Sequence, residues 1–119
     1  MNFDQLRNYC LEKKGSFESL PFDDVSLVFK VMNKIFAIIA LDMDNQMSLK
    51  CNPDYALELR ASYPDHILPA RYMNKQYWNM VKTKGFDDEQ LLFKLIDHSY
   101  NEVVKQLPLR SRKILAEIK

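Results

Sequence analysis

The sequence predicts an α+β domain spanning residues 1–119: an antiparallel sheet of about five strands packed by helices on one face, in the order α-β-β-β-α-β-β-α with a further short helix at the end. Three observations carry this. The hydrophobic period switches from that of a helix to two and back again along the chain. The strand-like and helix-like segments do not alternate as βαβ units would. A length of 119 residues suits one two-layer core and not two.

Residues 2–14 read as a helix, with Asn2 as N-cap, Gln5 in the capping-box position, a stripe of Phe3, Leu6 and Cys10, and Gly15 as the stop. In "VSLVFKV", Val25, Leu27, Phe29 and Val31 alternate with Ser26, Val28 and Lys30, the pattern of a half-buried strand. Asn33-Lys34 reads as a two-residue turn that would place Val31 opposite Phe36 and Phe29 opposite Ile38, on the helix-covered face. "DMDNQ" is a polar loop into a third strand, "MSLKC", at 47–51. Asn52 and Pro53 form an N-cap and N1 proline for a helix to about Tyr63, before Pro64. Short strands are predicted near 70–73 and 78–83 around Asn74-Lys75-Gln76, and Gly85 marks the next turn. Asp87 as N-cap and Gln90 open a third helix with a stripe of Leu92, Leu95, Ile96, Ser99, Val103 and Val104, ended by Pro108. "RSRKILAEIK" reads as a final short basic helix.

With 47% hydrophobic and 28% charged residues, two glycines and five prolines, the composition is globular. "MNFDQLRNYC" lacks a basic then apolar leader, and no window reaches the ~18 apolar residues of a membrane span, so the expectation is a cytoplasmic protein without membrane contact. Cys10 and Cys51 are too few for a disulfide framework and are expected to be reduced, packed thiols. The net charge of +1 excludes a bulk polycation. Its distribution is uneven: residues 1–66 hold seven basic against ten acidic side chains, residues 67–119 ten against six.

The chemistry-bearing residues give little sign of catalysis. His66 and His98 have no second His or Cys at metal-ligand spacing and read as surface or capping histidines. The stretch from Asp42 begins like a calcium loop, but it lacks the glycine at the sixth position and the glutamate at the twelfth. Asp4 and Glu12 alone on the first helix do not make an iron-binding ridge. No nucleophile elbow, P-loop, GxGxxG or Cys/His pairing occurs, so neither an enzyme nor a cofactor or metal is expected. Cys51 precedes a helix N-terminus, where thiols become reactive, yet it alternates with Met47 and Leu49, which favours a buried structural cysteine.

"PARYMNKQYWNMVKTKG" at 69–85 carries four basic and three aromatic residues and no acid. Trp78 and Met80 read as inward core residues. Arg71, Lys75, Lys82 and Lys84 must line the rim and turns, and Arg110, Arg112 and Lys113 join that face if the final helix packs beside it.

"LPFDDVSLVFKVMNKIFAIIAL", "LKCNPDYALELRASYP" and "PARYMNKQYWNMV", in this order and spacing, resemble the MmcQ/YjbR family of small bacterial proteins over roughly Met1 to Pro108. The resemblance implies a fold similar to the bacterial frataxin homologue and a DNA-binding role through a double-wing motif. Tyr72 and Tyr77 stand where the family pattern usually has histidine, which suits stacking or hydrogen bonding better than proton or metal chemistry. The expected function is thus DNA binding by a monomer, with Arg71, Tyr72, Asn74, Lys75, Tyr77, Lys82, Lys84, Arg110, Arg112 and Lys113 as the contacts. The alternative is a non-enzymatic adaptor using the same surface against an acidic protein partner.

Overall fold

A computed structural model describes residues 2–20 and 24–118; Pro21, Phe22 and Asp23 of the first resemblance motif, Met1 and the terminal Lys119 lie outside the described residues. The elements are α1 (Phe3–Leu11), β1 (Ser16–Ser19), β2 (Ser26–Val31), β3 (Lys34–Ala40), β4 (Gln46–Lys50), α2 (Pro53–Ser62), β5 (Ile67–Pro69), β6 (Trp78–Val81), α3 (Glu89–Lys105) and α4 (Leu109–Glu117). Antiparallel pairing joins the strands in one sheet of order β1-β2-β3-β4-β6-β5. The α+β class and the antiparallel sheet are as predicted, with six strands in place of about five. The additional one is β1, whose residues, "SFES", lack an apolar alternation and pair only with β2.

The helix starts follow the capping chemistry. The Asn2 side chain accepts from Gln5 N–H while the Gln5 side chain accepts from Asn2 N–H, a complete capping box. Asn52 accepts from the N–H groups of Asp54 and Tyr55, and Pro53 follows at N1. For α3 the N-cap is Asp88 and not Asp87, its carboxylate accepting from Leu91 N–H at 3.0 Å. Gly15 adopts φ +72°, and a Cβ there would lie 2.6 Å from Leu115 Cδ1, so glycine both turns the chain and admits α4.

The β2–β3 hairpin departs from the predicted register. Its turn residues are Met32 and Asn33, at φ 49° and 66°, and Val31 pairs with Lys34. Two positive-φ residues match the right-handed twist of the strands, and this outweighs the cost of the left-handed region at methionine. Phe29 then pairs with Ala37 and Lys30 with Ile35, leaving Phe36 as the extra residue of a bulge. Phe36 and Ile39 enter the core as a result, while Ile38 pairs with Val28 on the opposite face and does not join the predicted Leu27, Phe29, Val31 row. One cluster joins that row to Leu6 and Cys10 of α1, Leu59 of α2, Leu95 and Ile96 of α3 and Leu115 of α4.

β5 and β6 are shorter than predicted, and 70–73 belongs to the connection between them. Asn79 and Val81 pair with Leu49 and Met47, residues of the helix-covered face. Trp78 and Met80 therefore alternate to the other side of the sheet, away from the helix-covered cluster; Trp78 is nonetheless buried, as the inward reading expected, and Met80 half-buried.

Candidate nucleic-acid interface

The 70–77 connection is a built loop. Ala70 N–H donates to Trp78 C=O, Asn74 accepts from Gln76 N–H through its side chain and from Tyr77 N–H through its carbonyl, and Tyr77 C=O accepts from Cys51 N–H at 2.7 Å. From α2, Arg60 braces the loop from behind. Its Nε donates to the buried Asn79 Oδ1 at 2.6 Å, and a terminal nitrogen donates to the carbonyls of Lys75 and Trp78. Asn79 in turn donates to Ala56 C=O at 3.4 Å. Arg71, Lys75 and Tyr72 are thereby displayed outward, Tyr72 being 90% exposed.

The strand directions sort the charges. The β2–β3 turn, the end of β4, the 70–77 loop, the C-terminus of α3 and all of α4 lie at one end of the sheet, as the Val31–Lys34 and Lys50–Trp78 pairs and the contact of Leu115 with Gly15 establish. This end carries Lys34, Lys50, Arg71, Lys75, Lys105, Arg110, Arg112 and Lys113. Its acids are Glu12, Asp54, Glu117 and the nearly buried Glu102, which pairs with Lys105 at 2.6 Å. The opposite end holds the 41–45 turn and the connections on either side of β5 and β6, with Asp42, Asp44, Asp65, Asp87 and Asp88.

The ten predicted contacts do not form one continuous face. Arg71, Tyr72, Asn74, Lys75 and Tyr77 sit in the loop at the basic end, near the β6–β5 edge of the sheet. Arg110, Arg112 and Lys113 are at the same end, but α4 rests by Gly15 and Val31 on the β1–β2 side, so the final helix does not pack beside the loop. Lys82 and Lys84 follow β6 to the acidic end, where Lys84 lies 3.9 Å from Asp44 and Thr83 donates to the carbonyls of Asp44 and Asn45. Sequence reasoning missed Lys34 and Lys50, which reach the basic end from distant strands. The only local signal was their place beside a turn and at a strand end.

Between the two groups a groove of about 450 Å³ opens at the end of β3, β4 and β6, bounded by the last turn of α3. Lys34 and Lys50 line it together with Ile35, Trp78 and Leu107. Lys50 Nζ donates to Gln106 Oε1 at 2.9 Å. Burial lowers the Lys50 pKa from its ordinary value, Glu102 opposes this, and Lys34 and Lys105 add to it.

Both thiols are buried, and desolvation pushes each up to about 12, with Glu102 adding to the effect at Cys51, so neither is a thiolate at neutral pH. Among the described residues no helix is long and apolar enough to cross a membrane, and no group of three His, Cys, Asp or Glu side chains could hold a metal ion.

His98 has a structural task. Its Nε2 accepts the Asn52 N–H at 3.1 Å, and its ring meets Tyr55 edge-on, so the neutral imidazole anchors the start of α2. Burial lowers its pKa from 6.5; Glu102 partly opposes this and Lys105 adds to it. The unfolded chain therefore takes up the proton first. The stabilisation is complete above pH 6.5 and is lost as the pH falls towards and through the lower folded value. Urea midpoints are expected to decline between about pH 7.5 and pH 5, and His98→Gln, which cannot titrate, is expected to flatten that decline. An identical pH profile for the variant would contradict the assignment.

Comparison with known proteins places the chain. A sequence model of the YjbR family matches residues 11–102. The uncharacterized protein YjbR of Escherichia coli strain K12 is 32% identical over 99% of this chain and all of its own length. The uncharacterized protein YbdF of E. coli O157:H7 is 36% identical over 78% of this chain and 76% of its own. The crystal structure of Deinococcus radiodurans protein DR2400, with a DUF419 domain, superposes with a TM-score of 0.88 at 37% identity, covering 95% of this chain and 86% of that one. A Pseudomonas syringae protein shares the fold at a TM-score of 0.69 and 22% identity, over 86% of this chain and 98% of its own. With the family's sequence pattern running through its strands, α2 and most of α3, and relatives matched along nearly their whole length, the chain belongs to the YjbR family.

Proposed function

We propose that this protein is a non-catalytic DNA-binding module that grips the phosphate backbone with the basic end of its sheet. The observation supporting this reading is the sorting of charge along the strands, which gathers basic side chains from five separate segments at one end and leaves the acids of the turns at the other. A field of that form steers a polyanion to one end of the molecule, and separately spaced ammonium and guanidinium groups suit a backbone of regularly spaced phosphates. Arg71 and Lys75 on the braced loop and Arg110, Arg112 and Lys113 on α4 are the contacts. Lys82 and Lys84, placed among aspartates, are not. Such contacts position a duplex without reading its sequence.

Fluorescence anisotropy of a labelled random duplex over a salt series tests the reading. Five phosphate contacts give a slope of log affinity against log salt of roughly −4.5, at about −0.9 each. No measurable affinity at low salt would reject DNA as the partner and leave an acidic protein as the partner of this end.

A further inference from the structure

Tyr72 has no task within the fold. At 90% exposure it is the most exposed large apolar side chain among the described residues, and among them it makes no hydrogen bond and no ring contact. The backbone that carries it is nevertheless held, by hydrogen bonds in which it takes no part. Ala70 N–H donates to Trp78 C=O, Tyr77 N–H to Asn74 C=O, and the Arg60 guanidinium to Lys75 C=O. An aromatic ring is thus presented to water on a loop fixed without it, and such rigid display lowers the ordering cost of binding. Its neighbours are cations. Arg71 and Lys75 are exposed, have no carboxylate partner among the described residues, and lie in a segment, 69–85, that contains no acid. A partner that meets the ring and both cations together must carry flat apolar groups along a row of negative charges. A single strand of DNA has that form, since every base offers a π-face beside the phosphates. In a duplex the base faces are already stacked, and reaching one means opening the pair.

We propose that the 70–77 loop binds unpaired bases of single-stranded DNA, the Tyr72 ring stacking on a base while Arg71 and Lys75 hold neighbouring phosphates. This rests on the reading of the basic end as a DNA grip and adds to it a role for unpaired strands. Stacking on one ring accepts any base, so the loop selects an unpaired base and not a particular one.

Fluorescence anisotropy at low salt with labelled DNAs of equal length tests this. The probes are a mixed-sequence single strand without self-complementarity, its blunt duplex, and an abasic single strand, which keeps the phosphates and has no bases. The wild type is expected to bind the base-bearing strand about fivefold or more tighter than the abasic one. Y72A, checked for folding by circular dichroism, is expected to lose that advantage while its affinities for the duplex and the abasic strand stay within about twofold, and Y72F is expected to keep it. A side chain so exposed tolerates alanine without loss of the fold. A variant that merely loosened the loop would weaken duplex binding as well, by moving Arg71 and Lys75. Equal wild-type affinity for the base-bearing and abasic strands, a folded Y72A that keeps the advantage, or a Y72A loss as large on duplex as on single strand would each overturn the proposal and leave the duplex grip standing. RNA of the same sequence bound about tenfold or more tighter than the DNA would overturn DNA as the strand. Absence of affinity for the duplex and for both strands would overturn the grip and this proposal together.

Discussion

Ser99→Ala is expected to destabilise the protein by about 2–4 kcal/mol, a large share of the 5–15 kcal/mol typical of a domain. At the Phe36 bulge the β3–β4 ladder stops after the Ala37–Leu49 pair. The Ser99 hydroxyl, fully buried, fills the missing rung: it accepts from Lys50 N–H at 2.8 Å and donates to Phe36 C=O at 2.5 Å. Alanine preserves the helix and the packing but leaves a donor and an acceptor without their partner. Each such buried group costs about 1–3 kcal/mol. Thermal denaturation is expected to show a Tm lower by about 10 °C, and Asn101→Ala, on the exposed side of the same helix, a change within about 0.5 kcal/mol. A Ser99→Ala protein as stable as the Asn101→Ala protein would mean that the bulge satisfies itself.

Arg60→Ala is expected to cost about 2–3 kcal/mol and, more specifically, to release the 70–77 loop. The guanidinium is the one described side chain that ties α2 to both Asn79 and the carbonyls of Lys75 and Trp78. Without it the Asn79 carbonyl oxygen, in a residue only 3% exposed, loses a charge-assisted hydrogen bond. Local opening free energy is set by such ties where apolar contacts are few. Hydrogen exchange at Gln76 and Tyr77 is therefore expected to accelerate well beyond the change in global stability, and trypsin to cut at Arg71 and Lys75 in the native state. Uniform acceleration across the sheet would show that Arg60 supports the whole fold and not the loop. A conservative Arg60→Lys does not rescue the loop, since an ammonium lacks the planar fork that reaches three acceptors.

Much of this was legible in residues whose effects are local. Asn2 with Gln5, Asn52 with Pro53 and the apolar stripe of α3 act within one or two turns of helix, and the structure has them close to where the pattern put them. Features set across strands were not legible. No local preference announces Met32 in the left-handed region, so the hairpin turn came out one residue early and Ile38 moved to the other face. The bulge at Phe36 arises from pairing with two strands and from a serine 63 positions away. β1 owes its existence to the edge of β2. The site followed the same rule. A basic run in sequence became two groups because β6 carries the chain from the basic to the acidic end, and Lys34 and Lys50 joined the first group through topology alone.

The central claim is that the functional cations are those of one sheet end. Duplex binding by R71Q/K75Q and K82Q/K84Q, measured over the same salt series as the wild type, tests it most directly. Both pairs remove two positive charges from the 69–85 segment, so bulk charge and sequence neighbourhood are matched. The account predicts that R71Q/K75Q binds every duplex more weakly and flattens the salt slope by about 1.8, while K82Q/K84Q keeps the wild-type slope. Equal flattening by both pairs, or flattening by K82Q/K84Q alone, would contradict it.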